Sequence, residues 1–375
     1  MTFGLAQHDN GWTFTDSQGA SFLSIGLNHA EESSLKYPHN LDVWQRKYGS
    51  KDAWIRDGVV ADMRDWGFNT IGWTQEYIAG GWGEALDWFG DPIDLQHSSA
   101  QWSAPELRSA GEPYVVQLPV QDIQDWNGKP HFRDVYADEF QMWCAYLART
   151  LVLDHRDSED LLGYFFVDIP AWLPHAGGDD FPQLLGLSEK QRSAKLYDIA
   201  QQYYSTITRE IRAVDPDHLI LGDRYNGNKG IPEPVLRAMS EHVDVFSVQY
   251  FTDPTDDSRR QMRDDFARWH DICGRPVLNA DLGNWIPTQM NPNRTSDIPD
   301  QRGRGTDYAA SLRPLLDEPW FLGWHWCGYV ENLGRGWGLK DPFDEPYTDF
   351  VDGVRRFNAE ATEQWRIARS PREGE

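Results

Sequence analysis

Apolar and polar residues alternate along the chain in blocks that predict buried strands separated by amphipathic helices. The clearest block is LLGYFFVDIPAW at 161–172, where an apolar run leads into the carboxylate of Asp168. A continuous apolar run is typical of a strand buried on both faces of a parallel sheet. Because Pro170 cannot donate a backbone hydrogen bond, we expect this strand to end near Asp168.

Seven further segments read as strands, at 21–30, 68–77, 113–121, 218–227, 244–251, 275–285 and 321–332. Helical periodicity is clearest at 51–66, 138–153, 257–272 and 346–368, and Ser188 with Gln191 predicts a capping box for a further helix. Eight strands alternating with helices predict a single α/β (β/α)8 TIM barrel at 21–375, preceded by a short β-hairpin at 1–20. The alternative is an open doubly wound sheet. That fold usually carries a glycine-rich first turn, and no GxGxxG follows the first barrel strand here.

The composition is strongly acidic, which narrows the class of ligand. The chain has 59 Asp and Glu against 35 Lys and Arg, and a net charge of −24 would repel nucleic acid and anionic membranes. This charge favours a neutral or cationic ligand, or high solubility alone. The three cysteines form no CxxC motif, so neither a disulfide framework nor a zinc ribbon is indicated, and no cofactor is expected. Since no leader or bilayer-length apolar run is visible, we expect a cytoplasmic protein, with homo-oligomerisation left open.

The predicted C-terminal ends of the strands carry polar and aromatic side chains, and in parallel α/β barrels catalytic residues lie there. Asp168 on the fourth strand and Asp281 on the seventh are opposed across the ring, so we choose them as the catalytic pair. The 18 tryptophans exceed what core packing usually asks for, and flat apolar rings suit the C–H faces of sugars. The expected substrate-binding residues are Asn28, His29, Trp73, Glu76, Trp172, Asp223, Arg224, Gln249, Tyr250, Trp285, His325, Trp326 and Glu331.

Two carboxylates that face one pocket are what glycosidic-bond hydrolysis requires. Asp168 would protonate the leaving oxygen as general acid, while Asp281 would act as base or nucleophile. Either aspartate is alternatively a strand-end residue that caps the following helix or pairs with Arg224. We interpret Asp223 and Arg224 as a mutually neutralising pair that fixes the pocket floor.

The other expected contacts divide by chemistry. Aromatic rings would stack on sugar, and this role is assigned to Trp73, Trp172, Trp285 and Trp326. Amides and carboxylates would hold hydroxyls, a role assigned to Asn28, Glu76, Gln249 and Glu331. The two histidines, His29 and His325, either orient carboxylates and hydroxyls or are structural.

Several motifs follow one another in order over roughly residues 20–355. They are FLSIGLNHA at the first strand, WGFNTIGW at the second, DVYADEF before the third helix, GYFFVD at the fourth strand, LGDRYN at the fifth, FSVQYF at the sixth, and GWHWCGYVEN with GRGWGLKDPFDEPYTDFV at the eighth. In these motifs the chain resembles the agarase-type glycoside hydrolases, the β-agarase-like (β/α)8 barrels of the large retaining clan. The resemblance implies a galactose-containing or anhydrogalactose-containing substrate.

The chain departs from this family at both catalytic positions. The family carries an Asn-Glu pair after the fourth strand, where this chain has Val167 and Asp168. The family's nucleophile on the seventh strand is a glutamate, and the matching position here is Asp281. Shorter carboxylates on opposite sides widen the gap between them, so we expect room for a water molecule and inversion of the anomeric centre.

The sequence therefore predicts a glycoside hydrolase that is exo-acting on short neutral oligosaccharides, with the long loop at 78–112 closing one end of the cleft. Two alternatives stay open. One is a catalytically inactive barrel that binds carbohydrate, since the usual acid/base glutamate is absent. The other is a metal-dependent sugar isomerase or epimerase, with oxygen and imidazole ligands from Glu76, Asp168, Asp223 and His325.

Overall fold

The eight predicted strands form a closed parallel barrel in the computed structural model, which describes residues 2–76, 99–121, 132–170, 172 and 181–369. Each barrel strand pairs with its neighbours in the sequence, and the last pairs with the first to close the ring. The predicted (β/α)8 fold is thus confirmed. The barrel strands are β4 (Ser24–Leu27), β5 (Thr70–Ile71), β6 (Tyr114–Gln117), β7 (Leu161–Asp168), β8 (Leu219–Asn226), β9 (Phe246–Gln249), β10 (Val277–Leu282) and β11 (Phe321–Trp326).

A small antiparallel sheet covers one end of the barrel. Its strands are β1 (Gly4–His8), β2 (Gly11–Thr15) and β3 (Ser21–Phe22), so a third short strand joins the expected hairpin. Phe3 and Phe14 pack into the cluster that fills the barrel interior, and the Trp12 amide donates to the Pro319 carbonyl just before β11. The sheet therefore closes the N-terminal end of the barrel, opposite the strand tips.

Helices surround the barrel where amphipathic periodicity predicted them. They are α1 (Leu41–Lys47), α2 (Lys51–Ala53 continued by Trp54–Val60 and Ala61–Trp66), α3 (Ala104–Ala110), α4 (Asp138–Leu147 continued by Ala148–Val152 and Leu153–His155), α5 (Glu189–Val214), α6 (Glu233–Met239), α7 (Asp256–Cys273), α8 (Gln301–Leu312) and α9 (Thr348–Arg369). The predicted capping box is present at the start of α5, where both Ser188 N and Ser188 Oγ donate to Gln191 Oε1. Among the described residues, no helix combines the length and the apolar character that crossing a bilayer requires.

The core has two parts because successive side chains of a strand point to opposite faces. One cluster fills the barrel interior and includes Val115, Phe165, Leu221, Leu278 and Leu322. The larger cluster lies between strands and helices, and it contains many fully buried aromatic rings, among them Trp54, Trp66, Trp102, Trp269 and Trp324. A large share of the tryptophans therefore packs the barrel against its helices.

Candidate active site

Asp168 ends β7, as the proline two residues later predicted, and its side chain lies inside the barrel mouth. The side chain is 5% exposed. Arg224 Nη1 lies 3.1 Å from Asp168 Oδ1, and the side-chain amide of Gln249 donates to the same oxygen. Burial raises the pKa of Asp168 to about 6, and the positive charge of Arg224 opposes part of this shift. Asp168 therefore gains and loses its proton closer to neutral pH than an ordinary aspartate does.

The backbone immediately after Asp168 is strained. Ile169 adopts a φ of 49°, a left-handed conformation that a β-branched residue rarely occupies. Its amide donates to the Arg224 carbonyl, which ties the turn to the next strand. Strain of this kind is typical of functional sites, where the surrounding structure fixes an otherwise unfavourable conformation.

Asp281 lies near the end of β10 and is held by three neighbours. Asn28 Nδ2 donates to Asp281 Oδ1 at 2.8 Å, Arg224 Nη2 lies 3.3 Å from Oδ2, and His29 Nε2 lies 3.8 Å from Oδ2. Burial acts to raise the pKa of Asp281, but Arg224, His29 and Asn28 together outweigh it and hold the pKa below its ordinary value. Asp281 is therefore an ionised carboxylate.

Arg224 and Asp223 are neighbours in β8 but face opposite sides of the barrel wall. Arg224 is fully buried in the interior, where its guanidinium lies over the rings of Trp73 and Phe165 at 5.4 and 5.7 Å. Asp223 faces the helices and accepts hydrogen bonds from Tyr203 (2.9 Å), Tyr204 (2.6 Å) and Trp172 (3.1 Å). The expected Asp223–Arg224 ion pair is therefore wrong, because adjacent strand residues alternate between faces.

Three further residues expected to contact substrate lie between the barrel and its helices. Trp172 packs against aromatic rings of that layer, with ring centroids 5.9 Å from Tyr204. Tyr250 donates to Asp265 on α7 at 3.0 Å, and Trp326 packs between Tyr308 and Phe350. Their placement, and that of Asp223, contradicts the expected contact with sugar.

Glu331 and His325 are engaged in structural networks. Glu331 accepts hydrogen bonds from Asn291 (2.6 Å), Thr288 and Tyr347, so it holds loops together instead of presenting oxygens to a ligand. The ring of His325 lies deeper in the barrel, with Nε2 2.9 Å from Ser24 Oγ, and burial lowers its pKa to about 3. His325 is therefore a neutral core histidine, and neither residue fits the binding role assigned from sequence.

The structure brings His29, Trp73 and Glu76 together with an arginine that sequence reasoning missed. His29 Nδ1 donates to the Gln75 carbonyl at 2.6 Å. The rings of His29 and Trp73 pack edge to face, with their centroids 5.4 Å apart. Arg335 Nη1 lies 3.1 Å from Glu76 Oε1, and Nη2 donates to His29 Nε2 at 3.4 Å. Arg335 belongs to a loop without periodicity, and its sequence signals are the flanking glycines and its place in the GRGWGLKDPFDEPYTDFV motif.

A partly exposed group of aromatic rings lies beside Asp281. Trp285 was expected to stack on sugar, and its ring lies 5.9 Å from Trp337, which in turn stacks on Phe251 at 5.4 Å. The Arg294 guanidinium lies over both tryptophans, 4.4 Å from Trp285 and 5.0 Å from Trp337. A cavity of about 180 Å³ opens here, lined in part by Asn284, Trp285, Thr295 and Ile298. Of the predicted loop at 78–112, residues 78–98 lie outside the described part and Ala104–Ala110 form α3, so the predicted closure of the cleft stays a prediction.

The ligand set of the metal-dependent alternative is not assembled. Glu76 pairs with Arg335, Asp168 with Arg224, and Asp223 faces the helices while His325 is bound to Ser24. Within the described ranges, the His, Cys and carboxylate groups close enough to share one ion are His29, Asp281 and Cys327. This geometry does not support the isomerase interpretation.

The described site contains two carboxyl groups whose pKa values are shifted in opposite directions, joined by a single buried guanidinium. Opposed pKa shifts within one pocket are the usual sign of an acid and a base with separate roles. The partly exposed ring of Trp337 lies 5.0 Å from the guanidinium of Arg335, which contacts His29 beside Asp281. This is the set of groups that acid-base chemistry on a sugar requires.

No family model matches the chain. Two curated proteins of Vibrio sp. (strain JT0107) are similar to it: β-agarase B, 22% identical over 389 residues, and β-agarase A, 23% identical over 381 residues. The first match covers 90% of this chain and 40% of the relative, and the second covers 83% and 36%. The chain thus spans less than half the length of these relatives.

Solved structures share the barrel. An agarase, AgWH50C, superposes with a TM-score of 0.70 at 18% identity, covering 97% of this chain and 64% of the other. An exo-β-agarase superposes with a TM-score of 0.73 at 15% identity, covering 97% of this chain and 66% of the other. A β-D-glucuronidase of Dictyoglomus thermophilum superposes with a TM-score of 0.59 at 12% identity, covering 96% of this chain and 54% of the other. The predicted resemblance is confirmed: the chain is similar in sequence to β-agarases and has the fold of agarase barrels.

Proposed function

We propose that the chain is a glycoside hydrolase that cleaves agarose-derived or related galactose-containing oligosaccharides. The observation that carries this proposal is the arrangement of Asp168 and Asp281, on the fourth and seventh barrel strands and bound to the two ends of the Arg224 guanidinium. Their pKa values are shifted in opposite directions. The similarity to β-agarases supports the choice of substrate class.

In the proposed reaction, Asp168 gives its proton to the glycosidic oxygen as the bond to the anomeric carbon breaks. Asp281 removes a proton from a water molecule, whose oxygen forms the new bond to that carbon. The Arg224 guanidinium and the Gln249 amide stabilise the Asp168 carboxylate that this step leaves behind. After the products leave, Asp281 releases its proton to solvent water and Asp168 takes one up, which restores both groups.

We propose that the reaction inverts the anomeric centre. A guanidinium lies between two short carboxylates, which favours the wider spacing of about 6.5–9.5 Å that leaves room for a water molecule. We also propose exo action on short chains. The supporting point is the barrel's similarity to an exo-β-agarase.

Substrate stacking is assigned to the rings of Trp285, Trp337 and Phe251. These rings are partly exposed and lie beside Asp281, so the C–H face of a sugar can cover them. Trp73 lies deeper, under the Arg224 guanidinium, and supports the catalytic pair from below.

The test is a screen of agarose-derived oligosaccharides and aryl galactosides with the wild type beside Asp168→Asn and Asp281→Asn. Both substitutions are expected to lower kcat on the oligosaccharides by about 100-fold or more. The matched control is Asp223→Asn, which alters a buried aspartate on the helix side of β8 and is expected to keep kcat. Equal rates for wild type and both site variants would remove the proposal.

A second candidate function is a barrel that binds carbohydrate without cleaving it. One observation favours it: buried donors from Arg224, Gln249 and Asn28 already engage oxygens of both carboxylates. Calorimetric titration of the same oligosaccharides separates the two functions. Binding of oligosaccharide that stays intact over long incubation supports the binding barrel and contradicts the hydrolase.

A further inference from the structure

Three consecutive strands of the ring deliver a group of potential metal ligands to one point. Asp281 lies in β10, Cys327 directly follows β11, and His29 follows β4. One ligand atom from each of the three lies within 4.8 Å of the others, and all three side chains are buried. His29 Nε2 and Asp281 Oδ2 are 3.8 Å apart. Two such atoms bound to a tetrahedral Zn²⁺ are about 3.4 Å apart, so this pair needs only a small closing movement to hold one ion.

Neighbouring groups orient these ligand atoms toward one another. His29 donates its Nδ1 proton to the Gln75 carbonyl at 2.6 Å, which fixes the tautomer and leaves the Nε2 lone pair facing the group. Asn28 Nδ2 donates to Asp281 Oδ1 at 2.8 Å, which leaves Oδ2 on the inner side. Outer contacts of this kind are what protein metal sites use to hold imidazole and carboxylate ligands.

A cation already occupies the space beside the three ligand atoms. Arg335 Nη2 donates to His29 Nε2 and to Cys327 Sγ, each at 3.4 Å, and Nη1 reaches Glu76. The backbone of its loop is held by hydrogen bonds from Gly334 N to Asn291 and from Arg294 to the Arg335 carbonyl. A positive charge therefore already lies beside the three ligand atoms, and it is carried by a long side chain that can leave by changing rotamer while the loop backbone stays in place.

We propose that His29, Asp281 and Cys327 bind a divalent cation of the Zn²⁺ class, which enters by displacing the guanidinium of Arg335. A thiolate, an imidazole and a carboxylate together select a borderline-soft ion over Mg²⁺ or Ca²⁺. Arg224 approaches the same Asp281 oxygen from the Asp168 side, so one carboxylate serves both cations. Three protein ligands leave a fourth position for water.

The site has a consequence for catalysis that rests on the proposed function. An ion bound to Asp281 Oδ2 takes the lone pairs that the proposed base needs to accept a proton from water. Zn²⁺ is therefore a reversible inhibitor of hydrolysis, and chelation restores the rate. Binding itself does not depend on the chain being a hydrolase.

The experiment is a titration of the full chain, freed of metal with EDTA, by Co²⁺ as a spectroscopic probe. We expect one Co²⁺ per chain, with a sulfur-to-cobalt charge-transfer band and the visible bands of low-coordinate cobalt. Cys327→Ser removes the charge-transfer band and weakens binding by about tenfold or more. The matched control is Cys273→Ser, a buried free cysteine at the end of α7, which keeps the band. A wild-type titration without the band, or the same band in Cys327→Ser, overturns the proposal.

Arg335→Gln tests the displacement without changing a ligand. Removing the competing guanidinium is expected to tighten Co²⁺ binding by about tenfold, because a charge within contact distance is lost. Unchanged or weaker binding contradicts displacement. Hydrolysis assays with Zn²⁺ and EDTA form a separate arm. A chain that binds Co²⁺ but cleaves no glycoside refutes the proposed function alone, and an active chain that gives no cobalt band refutes the metal site alone.

Discussion

Arg224 holds Asp168 across two adjacent strands, with Nη1 3.1 Å from Asp168 Oδ1. The other terminal nitrogen of the same guanidinium lies 3.3 Å from Asp281 Oδ2. A buried cation between two buried carboxylates offsets part of their desolvation, so the three groups are coupled in charge and in stability. The first three predictions concern this unit.

The rate of hydrolysis should fall as the pH rises through about 6. Asp168 must be protonated to act as the acid, and its pKa is about 6. Above that pH, each further unit lowers the protonated fraction about tenfold. Asp281 has a pKa below its ordinary value and remains ionised through the same range. The measurement is kcat/KM against pH in buffers containing EDTA, and a rate that stays constant well above neutrality contradicts the assignment.

Asp168→Asn should lower the hydrolysis rate of substrates with poor leaving groups much more than that of substrates with good ones. General acid catalysis contributes about 100-fold to 10,000-fold where the leaving oxygen needs a proton, as in an oligosaccharide. An aryl glycoside with an acidic phenol needs no such help, so its rate should change little. The two substrates are compared with wild type and variant at one pH. Equal losses on both would show that Asp168 has another role.

Arg224→Met should destabilise the fold by about 3–5 kcal/mol at neutral pH, because it leaves two buried carboxylates without their cation. Loss of the guanidinium raises the pKa of both carboxylates above the unfolded values. The native variant then binds more protons than its unfolded chain, so the deficit shrinks as the pH falls. Urea unfolding at several pH values measures this. Arg237→Met, which breaks an exposed pair with Glu233, is the control and should cost less than about 1 kcal/mol.

Asp223→Asn should lower stability but not catalysis. An asparagine has one acceptor oxygen for the three donors of Tyr203, Tyr204 and Trp172, and the mismatch costs about 1–3 kcal/mol. Burial raises the pKa of Asp223 to about 6, above its unfolded value. Its contribution to stability is therefore greatest in acid and is lost as the pH rises through about 6, and the variant should lack this dependence. A large loss of kcat in a folded variant would place Asp223 in the site after all.

Gly323→Ala should prevent closure of the barrel. Gly323 has a φ of 137°, and a Cβ there would overlap the Ser24 carbonyl across the pairing of β11 with β4. That pairing is the contact that joins the last strand to the first. We expect the variant to accumulate as insoluble protein, whereas Gly334→Ala, at a glycine with no atoms near its missing Cβ, should stay soluble. Solubility and circular dichroism give the answer.

The sequence alone determined the strands, their order along the chain and the residue at which β7 ends. Apolar runs bounded by turn residues mark buried strands whatever surrounds them, so β7 ends at Asp168 as its run and Pro170 predicted. The capping box at Ser188 was readable for the same reason, since its hydrogen bonds join residues three apart. These features depend on interactions between residues that are close together in the sequence.

Only the tertiary structure decided which side of the barrel wall each strand-tip side chain faces. A strand buried on both faces has no polar-apolar alternation, so nothing in LGDRYN tells whether Asp223 or Arg224 points inward. The pairing of β7 with β8 also has register shifts. The inward-facing residues of β8 therefore cannot be deduced by counting from those of β7. Arg335 was unreadable for a different reason: a loop brings it to His29 and Cys327, and contacts between distant segments leave no periodic trace. The sequence located the site at the strand tips, and packing selected the residues that form it.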